Sequence, residues 1–168
     1  HRNPQGMKLN PETQEIWSHK HGPKGGDEIN IIVAGDNYGW PLVSHGFEYG
    51  TDDKVSEHDS LPGFNDPEWV WIPSIAPSGM DFYPMNSDEK VMFPNLQGSL
   101  LVGSLKFRRL YSISINKDGL PESESIVIDG TLGRIRDVVV AKDGSILILN
   151  DEASLSKPEG GLYRLFRL

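Results

Sequence analysis

Short apolar stretches, separated by turn residues, recur along the whole chain. Examples are INIIVAG, LYSISI and SILILN, and each lies next to glycine, asparagine or aspartate. No segment keeps the apolar periodicity of an amphipathic helix over several turns. The 18 glycines and 12 prolines provide turns between many short strands. The pattern therefore predicts an all-β fold.

Three segments of the chain repeat one layout of strand, turn, strand, loop and strand. In the first two repeats we expect a fourth strand to follow, at NYGWPLVSHGFEY and at SESIVID. Four antiparallel strands in this order are typical of one blade of a β-propeller. The expected blades cover residues 1–60, 70–130 and 131–168. The three repeats read MKL/EIWS/INIIVAG, GMDFY/GSLLVG/LYSISI and IRDVVV/SILILN/GLYRLFRL.

The number of repeats is too small for a closed ring. A propeller needs about four blades or more, whereas this sequence accounts for three, the last without its outer strand. Three blades alone would leave exposed sheet edges, which favour aggregation. We therefore expect the chain to be part of a larger ring, completed by a missing part of the same protein or by a second copy.

The residues best suited to binding or catalysis fall at equivalent places in the repeats. In a four-stranded meander, the loop before the first strand and the loop between the second and third strands lie at the same end of the sheet. We expect these loops to meet at one mouth of the propeller channel and to form the functional site. The residues expected before first strands are Arg2, Asn3, Gln5, Arg134 and Arg136, and those expected in second-to-third loops are His21, Gly22, Pro23, Asp27 and Lys106.

Taken singly, several of these motifs also have purely structural interpretations. The arginines of GRIRDV could be a solvated pair, and HGPKGGDE could be a loop in which Asp27 caps a turn. His19 and His21 could bind a metal from one face of a strand, but a surface pair is favoured because no third ligand is evident. The tryptophans of EWVW are expected to pack on a sheet face.

The charge balance excludes some classes of partner. Sixteen basic and 24 acidic residues give a net charge of −8, which would repel nucleic acid and anionic lipid. No apolar run reaches the roughly 20 residues that cross a bilayer. We therefore expect neither nucleic-acid binding nor membrane insertion. Because the chain has no cysteine, disulfides and thiolate nucleophiles are excluded.

Six motifs follow one another across nearly the whole chain: RNPQG, HGPKGGDEIN, NYGWP, SIAPSGM, GSLK and GRIRDV. With them the sequence resembles the C-terminal half of the soluble pyrroloquinoline quinone (PQQ)-dependent aldose sugar dehydrogenases, in the glucose/sorbosone dehydrogenase family. The resemblance implies a six-bladed propeller that is periplasmic or secreted. It also implies that PQQ and calcium are the cofactors and that small-molecule aldoses are oxidised to lactones.

The resemblance implies roles for individual residues as well. Gly22 and Pro23 would offer backbone carbonyls to calcium, and Asp27 would hold either that loop or the waters of the ion. Arg2 would stabilise charge that develops on the quinone oxygen, which makes it the catalytic residue of this chain. The residues implied to contact PQQ are Arg2, Asn3, Gln5, His21, Lys106, Arg134 and Arg136.

In the family the general base is a histidine of the N-terminal half, which no residue here matches. The resemblance therefore implies that this chain supplies the cofactor- and calcium-binding half and is inactive alone. Trp69 and Ile72 are implied to lie beside the sugar. Two alternatives stay open: a propeller that only binds sugars or protein partners, and a calcium-dependent lactone hydrolase. The latter needs a cage of side-chain carboxylates, toward which the sequence offers Asp27 and Glu28.

Overall fold

A computed structural model describes residues 1–85, 91–151 and 160–167. The chain forms two compact units: the N-terminal unit, His1–Asn10 with Gln14–Pro77, and the C-terminal unit, Pro11–Thr13 with Ser78–Leu168. The regular structure of the described residues consists of eleven β-strands and a single 3₁₀ turn. The prediction of an all-β fold is confirmed. No helix in this part of the chain has the length and apolar character needed to cross a membrane.

The N-terminal unit contains an antiparallel sheet of four strands in the order β1-β2-β3-β4. Because the order in space follows the order in sequence, the sheet is a meander with β2 and β3 as its inner strands. Trp17 on β2 and Ile29 on β3 have no exposed surface and belong to its core. The strands are β1 (Asn3–Leu9), β2 (Ile16–His21), β3 (Asp27–Ile32) and β4 (Trp69–Trp71).

The fourth strand of this sheet does not lie where the sequence predicts it. Residues 37–49 form turns and irregular segments, and β4 comes from later in the chain. Pro41 lacks the N–H that a strand ladder needs. Gly39 has a φ of +81°, which bends the backbone away from an extended path. The amide of Val43 then donates to the carbonyl of Gly39 at 3.0 Å and closes a turn.

The C-terminal unit contains two antiparallel sheets, one with the order β5-β6-β7-β8 and one with the order β11-β10-β9. Leu101 and Leu110 of the first sheet share a core with Ile135 and Ile148 of the second, and all four are fully buried. Residues 152–159, in the last predicted loop, lie outside the described residues. The strands are β5 (Pro77–Phe82), β6 (Leu100–Ser104), β7 (Arg109–Ile115), β8 (Pro121–Asp129), β9 (Arg134–Val140), β10 (Ile146–Asp151) and β11 (Gly160–Leu165).

Candidate functional site

Residues 22–26, between β2 and β3, form a tight connection that we call the glycine loop. A methyl group on Gly22 would overlap the carbonyl oxygens of Gly25 and Gly26. Gly26 has a φ of +68°, and its amide donates to the carbonyl of Trp71 at 2.9 Å. The loop therefore gathers backbone carbonyl oxygens in a small volume from which side chains are excluded.

Asp27, the first residue of β3, holds the glycine loop through its side chain. The residue has no exposed surface. One carboxylate oxygen, Oδ1, accepts the amide of Gly22 at 2.9 Å. The other, Oδ2, accepts the hydroxyl of Ser74 at 2.7 Å and the amides of Ile75 and Ala76 at 2.8 Å each. Of the two roles the sequence leaves open for Asp27, these bonds favour holding the loop.

Pro23 is packed against the chain on the far side of the loop. Its carbonyl accepts the amide of Phe47 at 2.9 Å. A methyl group on Gly46 would lie 2.6 Å from that same carbonyl oxygen, so the backbone approach is close. A carbonyl oxygen has two lone pairs, and the second of them stays chemically capable of binding a cation.

His21 and Arg2 lie beside the loop at the same end of the sheet. His21 ends β2 and pairs in register with Asn3 of β1. Its Nε2 lies 2.7 Å from the carbonyl of Pro77, so this nitrogen carries the proton and donates. The guanidinium of Arg2 donates to the His21 carbonyl at 3.4 Å and lies 5.5 Å from the ring centre of Trp40, within cation–π range.

Several predicted site residues lie in strands and not in the loops where the sequence places them. Asn3 and Gln5 are exposed residues of β1, and Gln5 Nε2 donates to Asn3 Oδ1 at 3.0 Å. Arg134 and Arg136 lie in β9. The strands extend to these polar positions because Asn3 pairs with His21 and Arg134 pairs with Asp151, whereas Gln5 and Arg136 lie at register shifts of the same strands. An apolar pattern does not reveal such pairing. For the same reason His21 and Asp27 are a strand end and a strand start.

The sequence favours a surface pair for the two histidines of β2, and the structure shows that this prediction is wrong. His19 has no exposed surface, whereas His21 is half-buried. His19 pairs in register with Ile29 and lies on the same face of β2 as Trp17, since side chains two apart share a strand face. Its position is therefore within the apolar side of the sheet.

The two residues implied to lie beside the sugar flank Trp71. Trp69 is half-buried in β4 and pairs with Ile29 of β3. Ile72, directly after the strand, has 57% of its surface exposed. A methyl group on Gly25 would lie 3.9 Å from Ile72, so the exposed side chain borders the glycine loop.

In the C-terminal unit, the two arginines of β9 share one carboxylate. Arg134 binds Asp151 through two nitrogens, with Nε 2.8 Å from Oδ1 and Nη2 2.9 Å from Oδ2. Arg136 Nε donates to Oδ2 at 2.6 Å. Hydrogen bonds, first from Arg134 and then from Arg136, lower the pKa of Asp151 from 3.8 to about 2. Two guanidinium groups on one carboxylate leave one net positive charge at this end of β9.

We expect this cluster to make stability depend on pH in the acid range. Because the pKa of Asp151 is lower in the folded than in the unfolded chain, its contribution is present above pH 4 and is lost as pH falls towards 2. The side chain is 31% exposed, so solvent screening limits the contribution to about 1 kcal/mol. Thermal unfolding of the wild type and of Asp151→Asn should differ at pH 7 and converge near pH 2. A difference that persists unchanged at pH 2 would contradict the assignment.

Lys106 lies in the loop between β6 and β7, as the sequence predicts. Its side chain is exposed, and Nζ lies 5.2 Å from the ring centre of Phe107. The ring orients the ammonium group while leaving its hydrogen-bond donors directed to solvent or to a ligand. Lys106 thus adds an accessible cation to the C-terminal unit.

Sequence reasoning missed three partners of the site residues: Ser74, Trp40 and Asp151. Asp151 directly follows the predicted strand SILILN, and in the structure it pairs with Arg134, so opposite charges face each other across β9 and β10. Opposite charges also pair where Lys20 of β2 lies 2.9 Å from Glu28 of β3, on the other face of the first sheet.

The region offers donor types that suit a hard cation and a carboxylated ligand. No group of three or more His, Asp or Glu side chains that could hold a metal occurs in residues 1–85, 91–151 and 160–167. Calcium also accepts backbone carbonyls as ligands, and the glycine loop offers these. Arg134 already binds one carboxylate, that of Asp151, in the bidentate geometry that guanidinium groups favour.

The sequence of this chain matches one known protein family. The profile described as Glucose / Sorbosone dehydrogenase matches residues 1–164. The chain belongs to the glucose/sorbosone dehydrogenase family. A curated relative, aldose sugar dehydrogenase YliI of Escherichia coli (strain K12), is 43% identical to this chain over 154 residues. The match covers 91% of this chain and 40% of the relative.

Solved structures of dehydrogenases match the fold of this glucose/sorbosone dehydrogenase family chain. The apo form of the soluble aldose sugar dehydrogenase from Escherichia coli has a TM-score of 0.83 at 38% identity, over 97% of this chain and 44% of that one. The PQQ-bound form of the Streptomyces coelicolor enzyme has a TM-score of 0.71 at 24% identity, over 99% and 43%. The β-propeller prediction is confirmed, and the chain spans less than half the length of these relatives.

Proposed function

We propose that the protein containing this chain is a PQQ- and calcium-dependent aldose sugar dehydrogenase that oxidises aldoses to lactones. The observation that carries the proposal is the glycine loop, a carbonyl-rich loop fixed by the buried carboxylate of Asp27 beside Arg2 and His21. The family assignment and the relatives named as aldose sugar dehydrogenases support it. PQQ, bound with calcium, supplies a two-electron acceptor for the hydride of the aldose anomeric carbon.

The proposed calcium ligands are the backbone carbonyls of Gly22 and Pro23. Calcium is a hard cation that binds oxygen, and backbone carbonyls are among its usual ligands in proteins. In this proposal Asp27 acts by holding the loop, because both of its carboxylate oxygens accept hydrogen bonds from the chain. Its role is to fix the loop so that the carbonyls keep one arrangement.

The residues proposed to contact the cofactor are those that the family resemblance implies. PQQ carries three carboxylates, which favour cationic partners in a protein whose net charge is −8. The C-terminal unit supplies Lys106, Arg134 and Arg136, and Asp151 pre-orients the two arginines. The residues proposed from the N-terminal unit are His21, with its fixed ring, the amides Asn3 and Gln5, and Arg2, which is proposed to stabilise the charge that develops on the quinone oxygen.

The sugar side of the site is proposed to include Trp69 and Ile72. The exposed side chain of Ile72 borders the glycine loop, and Trp69 lies on the strand that precedes it. The general base and the remaining blades are proposed to come from residues outside this chain, in an N-terminal part of the protein or in a second copy. The isolated chain is therefore proposed to be inactive. Export to the periplasm, or secretion, belongs to the same proposal on family grounds.

Dye reduction tests the proposal. The gene product that contains this chain, loaded with PQQ and calcium, should reduce an artificial electron acceptor when aldoses are added. Removing calcium with a chelator should abolish the reaction, and returning calcium should restore it. Sugar binding without any change in the absorbance of added PQQ would support the alternative of a protein that only binds sugars. Lactone cleavage without dye reduction would support the hydrolase and overturn the proposal.

A further inference from the structure

Two segments of the N-terminal unit, residues 21–27 and residues 71–77, are joined at three places along their length. At one end the amide of Gly26 bonds to the carbonyl of Trp71 at 2.9 Å. At the other end His21 Nε2 bonds to the carbonyl of Pro77 at 2.7 Å. Between them stands Asp27, whose Oδ2 receives three donors from residues 74–76. The two segments are therefore linked by several hydrogen bonds.

Within this connection, the hydroxyl of Ser74 is a side-chain donor to Asp27. Its Oγ donates to Asp27 Oδ2 at 2.7 Å and accepts the amide of Ala76 at 3.1 Å. Ala76 has a φ of +51°, a left-handed conformation that a non-glycine residue keeps only when its surroundings impose it. The Ser74 hydroxyl thus fixes both the carboxylate and the strained backbone that carries two of its other donors.

We propose that Ser74 is a positioning residue for calcium, which acts by orienting Asp27 so that the glycine loop keeps its carbonyls in place. The inference rests on the proposed function, because it takes the Gly22 and Pro23 carbonyls as the calcium ligands. The chain of contacts is short. Ser74 holds one oxygen of Asp27, and the other oxygen holds the amide of Gly22. Outer partners that orient metal ligands commonly change metal affinity by about 10- to 100-fold.

A second consequence of these hydrogen bonds is coupling between residues 21–27 and residues 71–77. Calcium bound to the glycine loop should slow opening of residues 74–76, because their amides depend on the same carboxylate. Coupling of this kind is reciprocal, so stiffening of residues 74–76 also favours calcium. Ile72, which borders the loop from the same segment, brings the proposed sugar side into this coupling.

Calcium titration of the gene product without PQQ tests the inference. By calorimetry, Ser74→Ala should bind calcium about tenfold more weakly than the wild type. Ser74→Thr, which keeps the hydroxyl, should restore most of the affinity. The matched control is Ser56→Ala, whose hydroxyl also donates one bond and accepts one, to Leu42 at 2.6 Å and from His58 at 3.0 Å, but away from both segments. It should bind calcium like the wild type.

Hydrogen exchange supplies a readout that a general loss of stability would not reproduce. In the wild type, calcium should slow exchange of the amides of Ile75 and Ala76, whereas in Ser74→Ala it should leave them unchanged. Equal calcium affinity of Ser74→Ala and wild type, with equal protection, would overturn the inference while leaving the proposed function intact. A wild type that binds no calcium would overturn both.

Discussion

Asp27→Asn should strongly destabilise the N-terminal unit. The amide replaces one acceptor oxygen with an NH₂ group, which then faces either the Gly22 amide or the three donors of residues 74–76. Because Asp27 has no exposed surface and Gly22 and Ile75 are buried, water cannot replace the lost acceptor for these amides. We expect the free energy of unfolding to fall by about 3 kcal/mol, as measured by urea denaturation.

Asp36→Asn is the matched control for this substitution. Its carboxylate accepts one bond, from Asn65 Nδ2 at 2.8 Å, and the residue is exposed. An exposed hydrogen bond of this kind contributes little, so the change should cost less than about 1 kcal/mol. Equal losses in Asp27→Asn and Asp36→Asn would show that the Asp27 network does not hold the loop.

Gly22→Ala should disrupt the glycine loop by steric overlap. The added methyl group meets the backbone carbonyls of Gly25 and Gly26, which cannot rotate away as a flexible side chain could. We expect a loss of about 3 kcal/mol in unfolding free energy and at least about a tenfold loss of calcium affinity. Thermal unfolding and calcium calorimetry on the same preparations measure both.

Gly25→Ala provides the contrast within the same loop. A methyl group there would lie 3.6 Å from Phe47 and 3.8 Å from the amide of Ser74, which is ordinary van der Waals distance. This variant should keep nearly the stability and calcium affinity of the wild type. If Gly22→Ala behaves like Gly25→Ala, the proposed crowding of carbonyls around Gly22 is wrong.

Most strands of the fold can be predicted from sequence because their apolar stretches are interrupted by strong turn residues. INIIVAG, LYSISI and SILILN each contain a strand or most of one. The fourth strand of the first sheet could not be found this way. Trp69–Trp71 is short, and a long connection separates it from its partner β3. Pairing across such a distance is decided by tertiary packing and not by a local pattern.

In the candidate site, too, the local features could be predicted from the sequence and the long-range contacts could not. The cluster of glycine and proline after His21 predicts a backbone-shaped loop, and the loop is found there. The donors to Asp27 could not be predicted, since they come from residues 47 to 49 positions later and two of them are backbone amides. His19 is a case in which residue type misleads. A polar side chain in an alternating stretch suggests an exposed position, whereas His19 lies on the buried face of its strand.

Anomalous diffraction from crystals of the gene product, grown with PQQ and calcium, would locate the ion. We predict a calcium peak at bonding distance from the carbonyl oxygens of Gly22 and Pro23, with Asp27 still bonded to Gly22 and Ser74. A calcium ion held instead by side-chain carboxylates away from residues 22–26 would contradict it, and so would an empty glycine loop in crystals that contain bound PQQ.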